Sequence, residues 1–295
     1  MTLDEATRQW TYNPPGVDST RVNLPYLYDA FLGGKEAHEI ERELRGKLLS
    51  VSPDIGFVFA SEREFMRRAI RYLARSYCLT RWLIAGYGLP DFSDQNLHQV
   101  IRRCERSATI AVIEADCLAA AAQRALIGDS ENQTHVVQVD PYDPKRMWET
   151  IENVPVSYRR EPVALILSGI LSFHGGTRAE VAGVVQEHIE HLPDGSFVIA
   201  THLLDPEHPE LTPLARSFEY HLNHSSLGVG QVATRKEIET MFAGTTILPP
   251  GVGPAYMWYP EGPPLISPVA GMLTAAVVAQ VGKADAFLAI PDRLL

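Results

Sequence analysis

The sequence predicts an α/β protein built on a doubly wound, mostly parallel sheet, and three observations carry that reading. Residues 81–140 hold three short apolar runs, Arg81–Ala85, Ile110–Glu114 and His135–Val139. Each run is closed by a glycine pair (Gly86 and Gly88) or by an acidic residue (Glu114, Asp140). Runs of this length between turn residues suit strands buried on both faces. The segments joining them are long enough for helices, which gives the βαβαβ order of a parallel sheet.

Ligands of the nucleotide kind sit at the carboxyl ends of such strands. Gly86 and Gly88 allow close backbone approach where a side chain would block it. Glu114, at the tip of the second run, can accept hydrogen bonds from two ribose hydroxyls, and Asp140 can meet an adenine edge. The ordinary alternative is a strand–turn–helix with a glycine cap and two solvated acids.

The chain has 295 residues, room for one large α/β domain or a domain with an appendage. The net charge of −10 and the lack of any Lys/Arg-rich run argue against nucleic acid as a partner. Cys78, Cys104 and Cys117 are odd in number without a Cys-x-x-Cys pair, which fits buried or idle thiols in a reducing cytoplasm. Residues 1–23 are polar and proline-bearing, unlike a secretory signal. The most apolar segment, 269–281, is too short to span a bilayer. A cytoplasmic protein without membrane attachment is expected.

Taken in order, residues 1–22 read as a loose arm, with Asn13-Pro-Pro-Gly16 a turn or extended stretch. Pro25–Leu32 starts an apolar helix broken by Gly33-Gly34-Lys35. That glycine pair lacks the spacing of a nucleoside triphosphate loop. Helices are expected over Glu36–Leu49, ended by Pro53, and over Ser61–Tyr77, with Phe65, Ala69, Ile70 and Leu73 on one face. Arg63, Arg67, Arg68 and Arg71 fall mostly on the other face, and Arg63 is the candidate carboxylate partner.

Val163–Leu167 reads as a fourth strand emptying into a ligand-facing loop at Ser168-Gly169 and Phe173-His174. The helix 178–191, the turn Pro193–Gly195 and a fifth strand 196–202 ending in His202 follow. Residues 205–233, rich in His, Pro and Gly, read as an insertion that builds much of an acceptor pocket. Thr234 caps a short helix ending near Phe242. Residues 245–248 and 255–259 are the expected closing strands, as an antiparallel pair. After the proline-rich turn 260–264, residues 269–281 read as a small apolar helix packed on the core or on a second copy, so a homodimer stays open.

No Gly-x-Ser-x-Gly elbow is present, which argues against a serine hydrolase. The pairs His188/His191 and His221/His224 have no third ligand at a recognised spacing, so no metal site is expected. After Gly88 the sequence Leu89-Pro90-Asp91 gives neither a third glycine nor a helix start, which weakens a nicotinamide reading.

Five segments, Tyr28–Lys35, Arg63–Ala69, Gly86–Pro90, Val139-Asp140 with Asp143-Pro144, and Pro162–Leu167, together resemble one family. It is the actinobacterial S-adenosylmethionine-dependent methyltransferase family DUF574, and the resemblance runs from about Asn23 to Gly282. It implies a Rossmann-like class I methyltransferase sheet of seven strands, mostly parallel with the last pair antiparallel, and an N-terminal helical region. The expected division is an arm and helical cap at 1–78, a methyltransferase core at 79–282 and a tail at 283–295.

The resemblance implies S-adenosylmethionine as cofactor, S-adenosylhomocysteine as product and a small-molecule acceptor. By motif position Gly86, Tyr87 and Gly88 line the methionine half, and Glu114 holds the ribose. Ala115, Asp140 and Pro141 border the adenine, while Ser168, Gly169 and Phe173 flank the sulfonium. Tyr28, Gly33 and Gly34 close the pocket, and Arg63, from its place early in the helix rather than from the resemblance, is the candidate partner of the methionine carboxylate. His174 and His202 are the candidate general bases, and Tyr28 and Tyr220 shape the acceptor side. Two positions depart from the family pattern. Ile84 stands where an acid usually precedes the glycines, and Ser172 stands where the loop after the fourth strand usually has His. Ile84 leaves open a member that binds a ligand or partner without methyl transfer, or one that uses the cofactor differently.

Overall fold

The computed structural model describes residues 2–4, 9–11, 20–86, 88–90, 96–127, 133–154, 161–259 and 269–282. The predicted apolar runs form its parallel centre: β1 (Arg81–Ala85), β2 (Thr109–Glu114), β3 (Thr134–Gln138), β4 (Ala164–Leu167) and β5 (Phe197–Asp205). They lie in the order β5-β4-β1-β2-β3, with Arg81 opposite Thr109 and Leu83 opposite Leu165 fixing the register around β1. Strand order reverses at β1, with β2 on one side and β4 on the other, which opens a crevice at the carboxyl ends.

The helices run α1 (Leu24–Leu32), α2 (Glu39–Val51), α3 (Gly56–Tyr77), α4 (Leu97–Cys104), α5 (Cys117–Ile127), α6 (Pro144–Ile151) and α7 (Arg178–His191). After β5 come α8 (Thr212–Asn223), the two-residue β6 (Ala233–Thr234) and α9 (Arg235–Met241). Thr177 and Thr234 each cap a helix with the reciprocal glutamate three residues on. One sheet face buries Leu83, Ile113 and Leu165 under α6, α7 and α9. The other buries Trp82, Ile84 and Val112 under α3 and α4. A third cluster joins α1, α2, the start of α3 and α8 through Leu27, Leu48, Phe59 and Phe218.

The antiparallel end of the sheet differs from the expectation. Residues 274–280 form a strand, β9 (Thr274–Gln280), and not part of an apolar helix. It pairs antiparallel with β5 over seven residues, from Thr274 opposite Leu203 to Gln280 opposite Phe197. The segment lies inside the sheet with both faces covered, so it carries no alternation to betray it. Only Ala270–Leu273 is helical there, as a single 3₁₀ turn.

The expected strand at 245–248 is the two-residue β7 (Thr246–Ile247), which pairs with β9. The one expected at 255–259 is instead a 3₁₀ turn, Ala255–Met257, preceded by β8 (Gly253–Pro254), also paired with β9. Along the sheet the path is therefore β8-β9-β5-β4-β1-β2-β3, seven strands, with β6 and β7 as short additions.

Three smaller corrections follow. Within 1–22, Thr2–Asp4 and Gln9–Thr11 pair as a short antiparallel ribbon. The helix expected from Ser61 starts five residues earlier, at Gly56. The insertion at 205–233 contains α8, whose Ala215, Phe218 and Leu222 face the core. The three cysteines are free thiols; Cys78 is exposed and the other two are half-buried. Tyr87, the turn 260–264 and the tail 283–295 lie outside the described residues, and no described helix is long and apolar enough to cross a membrane.

Candidate active site

A narrow cleft opens where β1, β2 and β4 end, lined by Leu24, Pro25, Tyr28, Arg63, Gly86, Gly88, Glu114, Ser168, Gly169 and Ile170. Three strand ends supply its floor, and α1 and α3 supply its wall. The two glycines after β1 do different work. A Cβ on Gly86 would sit 2.2 Å from the Ser168 carbonyl oxygen and 2.4 Å from Ile170, so this glycine lets β1 and β4 close on each other. A Cβ on Gly88 would meet only the Arg63 guanidinium, at 4.0 Å, which leaves the backbone open on the cleft side. Both have positive φ, +78° and +74°.

Glu114 is buried at the tip of β2. Its Oε1 accepts from the Asp116 amide at 3.0 Å, and Gln123 approaches Oε2 at 3.4 Å. Burial pushes its carboxyl up to about 7, against the opposing hydrogen bond from the Asp116 amide. Gln123, wholly buried on α5, also donates to the Gly88 carbonyl at 2.7 Å. Asp116 caps α5 by accepting from the Leu118 and Ala119 amides, and its other oxygen accepts from Asn23 Nδ2 at 2.7 Å. This bond fastens the start of α1 to the end of β2.

Tyr28 of α1 donates to Glu62 Oε2 at 2.6 Å, and its hydroxyl stands 3.3 Å from the Gly169 carbonyl. Glu62 Oε1 accepts from Thr274 at 3.0 Å, and Thr201 lies on the same side of the carboxyl. Thr201 Oγ1 in turn accepts the Gly169 amide at 3.0 Å. Burial raises Glu62 to about 7, and the same burial drives the Tyr28 hydroxyl well above its ordinary value. A Cβ on Gly169 (φ +63°) would lie 2.1 Å from the Tyr28 hydroxyl, so only glycine permits this approach.

Of the residues singled out in the sequence, Tyr28, Arg63, Gly86, Gly88, Glu114, Ser168 and Gly169 meet in this cleft. Asp140 and Ala115 are exposed at the ends of β3 and β2, beyond its rim. Asp140 Oδ1 accepts the Tyr142 amide at 2.8 Å. Pro141 is buried, and its carbonyl accepts from His188 Nε2 at 2.8 Å. His188 Nδ1 accepts from Trp148, so this histidine is a structural clamp on the turn after β3.

Others are not brought to the cleft. Gly33 and Gly34 are exposed at the end of α1; Gly33 takes φ +84°, and a Cβ on Gly34 would strike the Asp29 carboxylate. His202 is buried on β5, with Nδ1 donating to the Leu203 carbonyl and Nε2 unpartnered; burial lowers it to about 4. Tyr220 is 56% exposed on α8 and stacks on His224. Phe173 is buried with its ring 6.4 Å from that of Tyr28. His174 lines a separate, wider cleft with Thr177, Arg178, Glu219, Asn223 and Gln231. Glu62, Gln123, Asn23 and Asp116 had no sequence signal beyond type, since their partners lie far along the chain. Ile84, the departure from the acidic pattern, is fully buried in the apolar cluster with Phe65, Val112 and Ile166.

A family model described as S-adenosyl methyltransferase matches residues 11–283. A putative methyltransferase from Thermobifida fusca YX superposes with a TM-score of 0.80 at 27% identity, over 93% of this chain and 100% of that one. A DUF574 family protein from Streptomyces avermitilis MA-4680 gives 0.79 at 20% identity, over 89% and 98%. No curated protein matches the chain.

Proposed function

The chain belongs to the S-adenosyl methyltransferase family, and from that premise we propose how its cleft holds the cofactor and on which side the acceptor enters. The protein is an S-adenosylmethionine-dependent methyltransferase with the class I sheet. Its substrate is unidentified, and the acceptor proposed is a cytoplasmic small molecule. The cofactor supplies a sulfonium-bound methyl group when bound.

The observation that carries the assignment is the row of strand ends. In the order β3, β2, β1, β4 these present Asp140, Glu114, Gly86 with Gly88, and Ser168 with Gly169. Three inter-strand spacings of about 4.8 Å make this row about 14 Å long. Glu114 is the ribose acceptor: a buried carboxylate with fixed orientation accepts from two hydroxyls, and bond formation offsets its desolvation. Asp140, Ala115 and Pro141 border the adenine at the exposed end. The open backbone at Gly88 takes the methionine half, and Arg63 beside it faces the carboxylate.

Tyr28, Ser168 and Gly169 then stand at the reacting end. The wider cleft next to it, about 610 Å³, shares the loop between β4 and α7 and has room for a small polar acceptor. His174 is its candidate proton acceptor.

Calorimetric titration with S-adenosylmethionine and S-adenosylhomocysteine tests the assignment. Micromolar binding is expected, with at least a tenfold loss in Glu114→Ala and a smaller loss in Asp140→Ala, whose side chain is at the rim. Failure of the wild-type protein to bind either ligand at millimolar concentration would overturn it.

A further inference from the structure

Building on that placement of the cofactor, we propose that Glu62, acting through Tyr28, is the counter-charge that makes the site prefer the cationic cofactor over its neutral product. Glu62 lies behind the cleft wall, 2% exposed, and cannot touch solvent or a large ligand directly. Its carboxyl receives two hydroxyl donors: Tyr28 from α1 and Thr274 from β9. Only Tyr28 among these lines the cleft.

Because the Tyr28 hydrogen points to Glu62, the lone pairs of its oxygen are left toward the cleft, beside the Gly169 carbonyl. A donor committed to an ionised acceptor becomes a stronger acceptor itself. The wall is therefore electronegative at the β4 end of the row, opposite the adenine end. A sulfonium is stabilised there by a charge screened only by protein, whereas the thioether of S-adenosylhomocysteine gains nothing from it. Arg63 couples electrostatically to both Tyr28 and Glu62, and its guanidinium stands beside Gly88 at the carboxylate end. The feature thus sets product release as well as binding: once the methyl has left, the positive charge that held the ligand is gone.

The titratable groups facing this region are Glu62, Tyr28, Arg63, Tyr142 and Glu114. Glu62 and Glu114 both change charge near pH 7 in the ligand-free protein. Glu114 meets the ribose that both ligands share, so the ratio of the two affinities isolates Glu62. With its carboxyl at about 7, the ionised fraction rises roughly tenfold between pH 6 and pH 8.

The experiment is calorimetry of wild type, Glu62→Gln and Tyr28→Phe with S-adenosylmethionine and S-adenosylhomocysteine at pH 6, 7 and 8, with thermal melts of each variant. In wild type the affinity ratio is expected to favour the cation increasingly with pH, by up to about tenfold across this range. In Glu62→Gln the ratio should become flat with pH while the neutral product binds within about twofold of wild type. Tyr28→Phe should lower the ratio in the same direction. A wild-type ratio that does not change with pH would overturn the proposal even if Glu62→Gln failed to fold. So would a folded Glu62→Gln that keeps the wild-type ratio and its pH dependence. Absence of binding by either ligand would instead take down the cofactor placement, and this inference with it.

Discussion

The side-chain amide of Gln123 donates to the Gly88 carbonyl over 2.7 Å and approaches Glu114 Oε2 at 3.4 Å. One buried residue on α5 thereby spans the glycine turn after β1 and the carboxylate after β2. Its own Oε1 is buried without a partner. Leaving an amide oxygen so costs stability, which fits a residue held for the geometry it imposes and not for its net bond energy.

Gln123→Leu should therefore separate binding from folding. Removing the donor leaves the Gly88 carbonyl short of a partner and frees the Glu114 carboxyl to turn. A stability loss of about 1–3 kcal/mol is expected from the unsatisfied groups. Affinity for S-adenosylmethionine should fall at least tenfold. Titration and melts of the same preparation check both, and a lower melting temperature with unchanged affinity would restrict Gln123 to a packing role.

Glu114 gives a pH prediction with a definite sign. Its folded pKa, about 7, lies above the ordinary value of 4.5. The folded state therefore binds the proton more tightly than the unfolded one. The stabilisation is complete below 4.5 and is lost as pH rises through 7. It amounts to about 3 kcal/mol at most. Glu114→Gln does not titrate, so its melting temperature should gain on wild type from pH 5 to about pH 7 and level off above it. A difference constant with pH would contradict the burial of this carboxyl. The buried His188 and His202, lowered to about 4, act oppositely: their contribution is present above 6.5 and is lost as pH falls toward 4. Subtracting the two melting curves removes that background.

The bond from Asn23 Nδ2 to Asp116 Oδ2 is the tie between α1 and the end of β2. Asp116→Ala loses this tie and also the cap of α5, so it should cost about 1–2 kcal/mol for the cap alone. Asn23→Ala loses the tie only. Hydrogen exchange should then show faster opening of α1 in both variants and of α5 in Asp116→Ala alone. Equal protection of α1 in Asn23→Ala and wild type would mean that Leu27 and its apolar neighbours suffice to hold the helix.

How much of this was legible follows from where each signal resides. The strands β1 to β5 announce themselves because each is a short apolar run with a turn residue or an acid at its end. β9 does not: Thr274–Gln280 is covered on both sides, has no period of two, and adjoins Ala270–Leu273 in one long apolar stretch. Its identity as a strand comes from β5, far away in sequence. α8 was hidden by the surrounding His, Pro and Gly, although Pro213 in its first turn and the spacing of Ala215, Phe218 and Leu222 are helix signals. In the site, Gly86, Gly88 and Glu114 are marked by their positions at strand ends. Glu62 stands among 36 acidic residues, beside the more conspicuous Arg63, and its meaning arises from Tyr28 and Thr274.

Gly169 offers the most direct probe of how α1 seats on the sheet. Its backbone is left-handed at φ +63°, and an added Cβ would stand 2.1 Å from the Tyr28 hydroxyl, 2.7 Å from the ring carbon bearing it, and 3.1 Å from Glu62 Oε2. Gly169→Ala must therefore strain the turn and push Tyr28 out, with a cost of about 1–3 kcal/mol for the backbone alone. Tyr28→Phe by itself removes one hydrogen bond to a buried carboxyl, also a loss of about 1–3 kcal/mol. In the double variant the closest clash is gone while the ring carbon still crowds the methyl. The two losses should then add to less than their sum, by about 0.5–3 kcal/mol in a double-mutant cycle. Chemical denaturation of the four proteins measures this. Strict additivity would mean that Tyr28 moves aside without cost and that its contact with Gly169 does not hold α1 over the cleft.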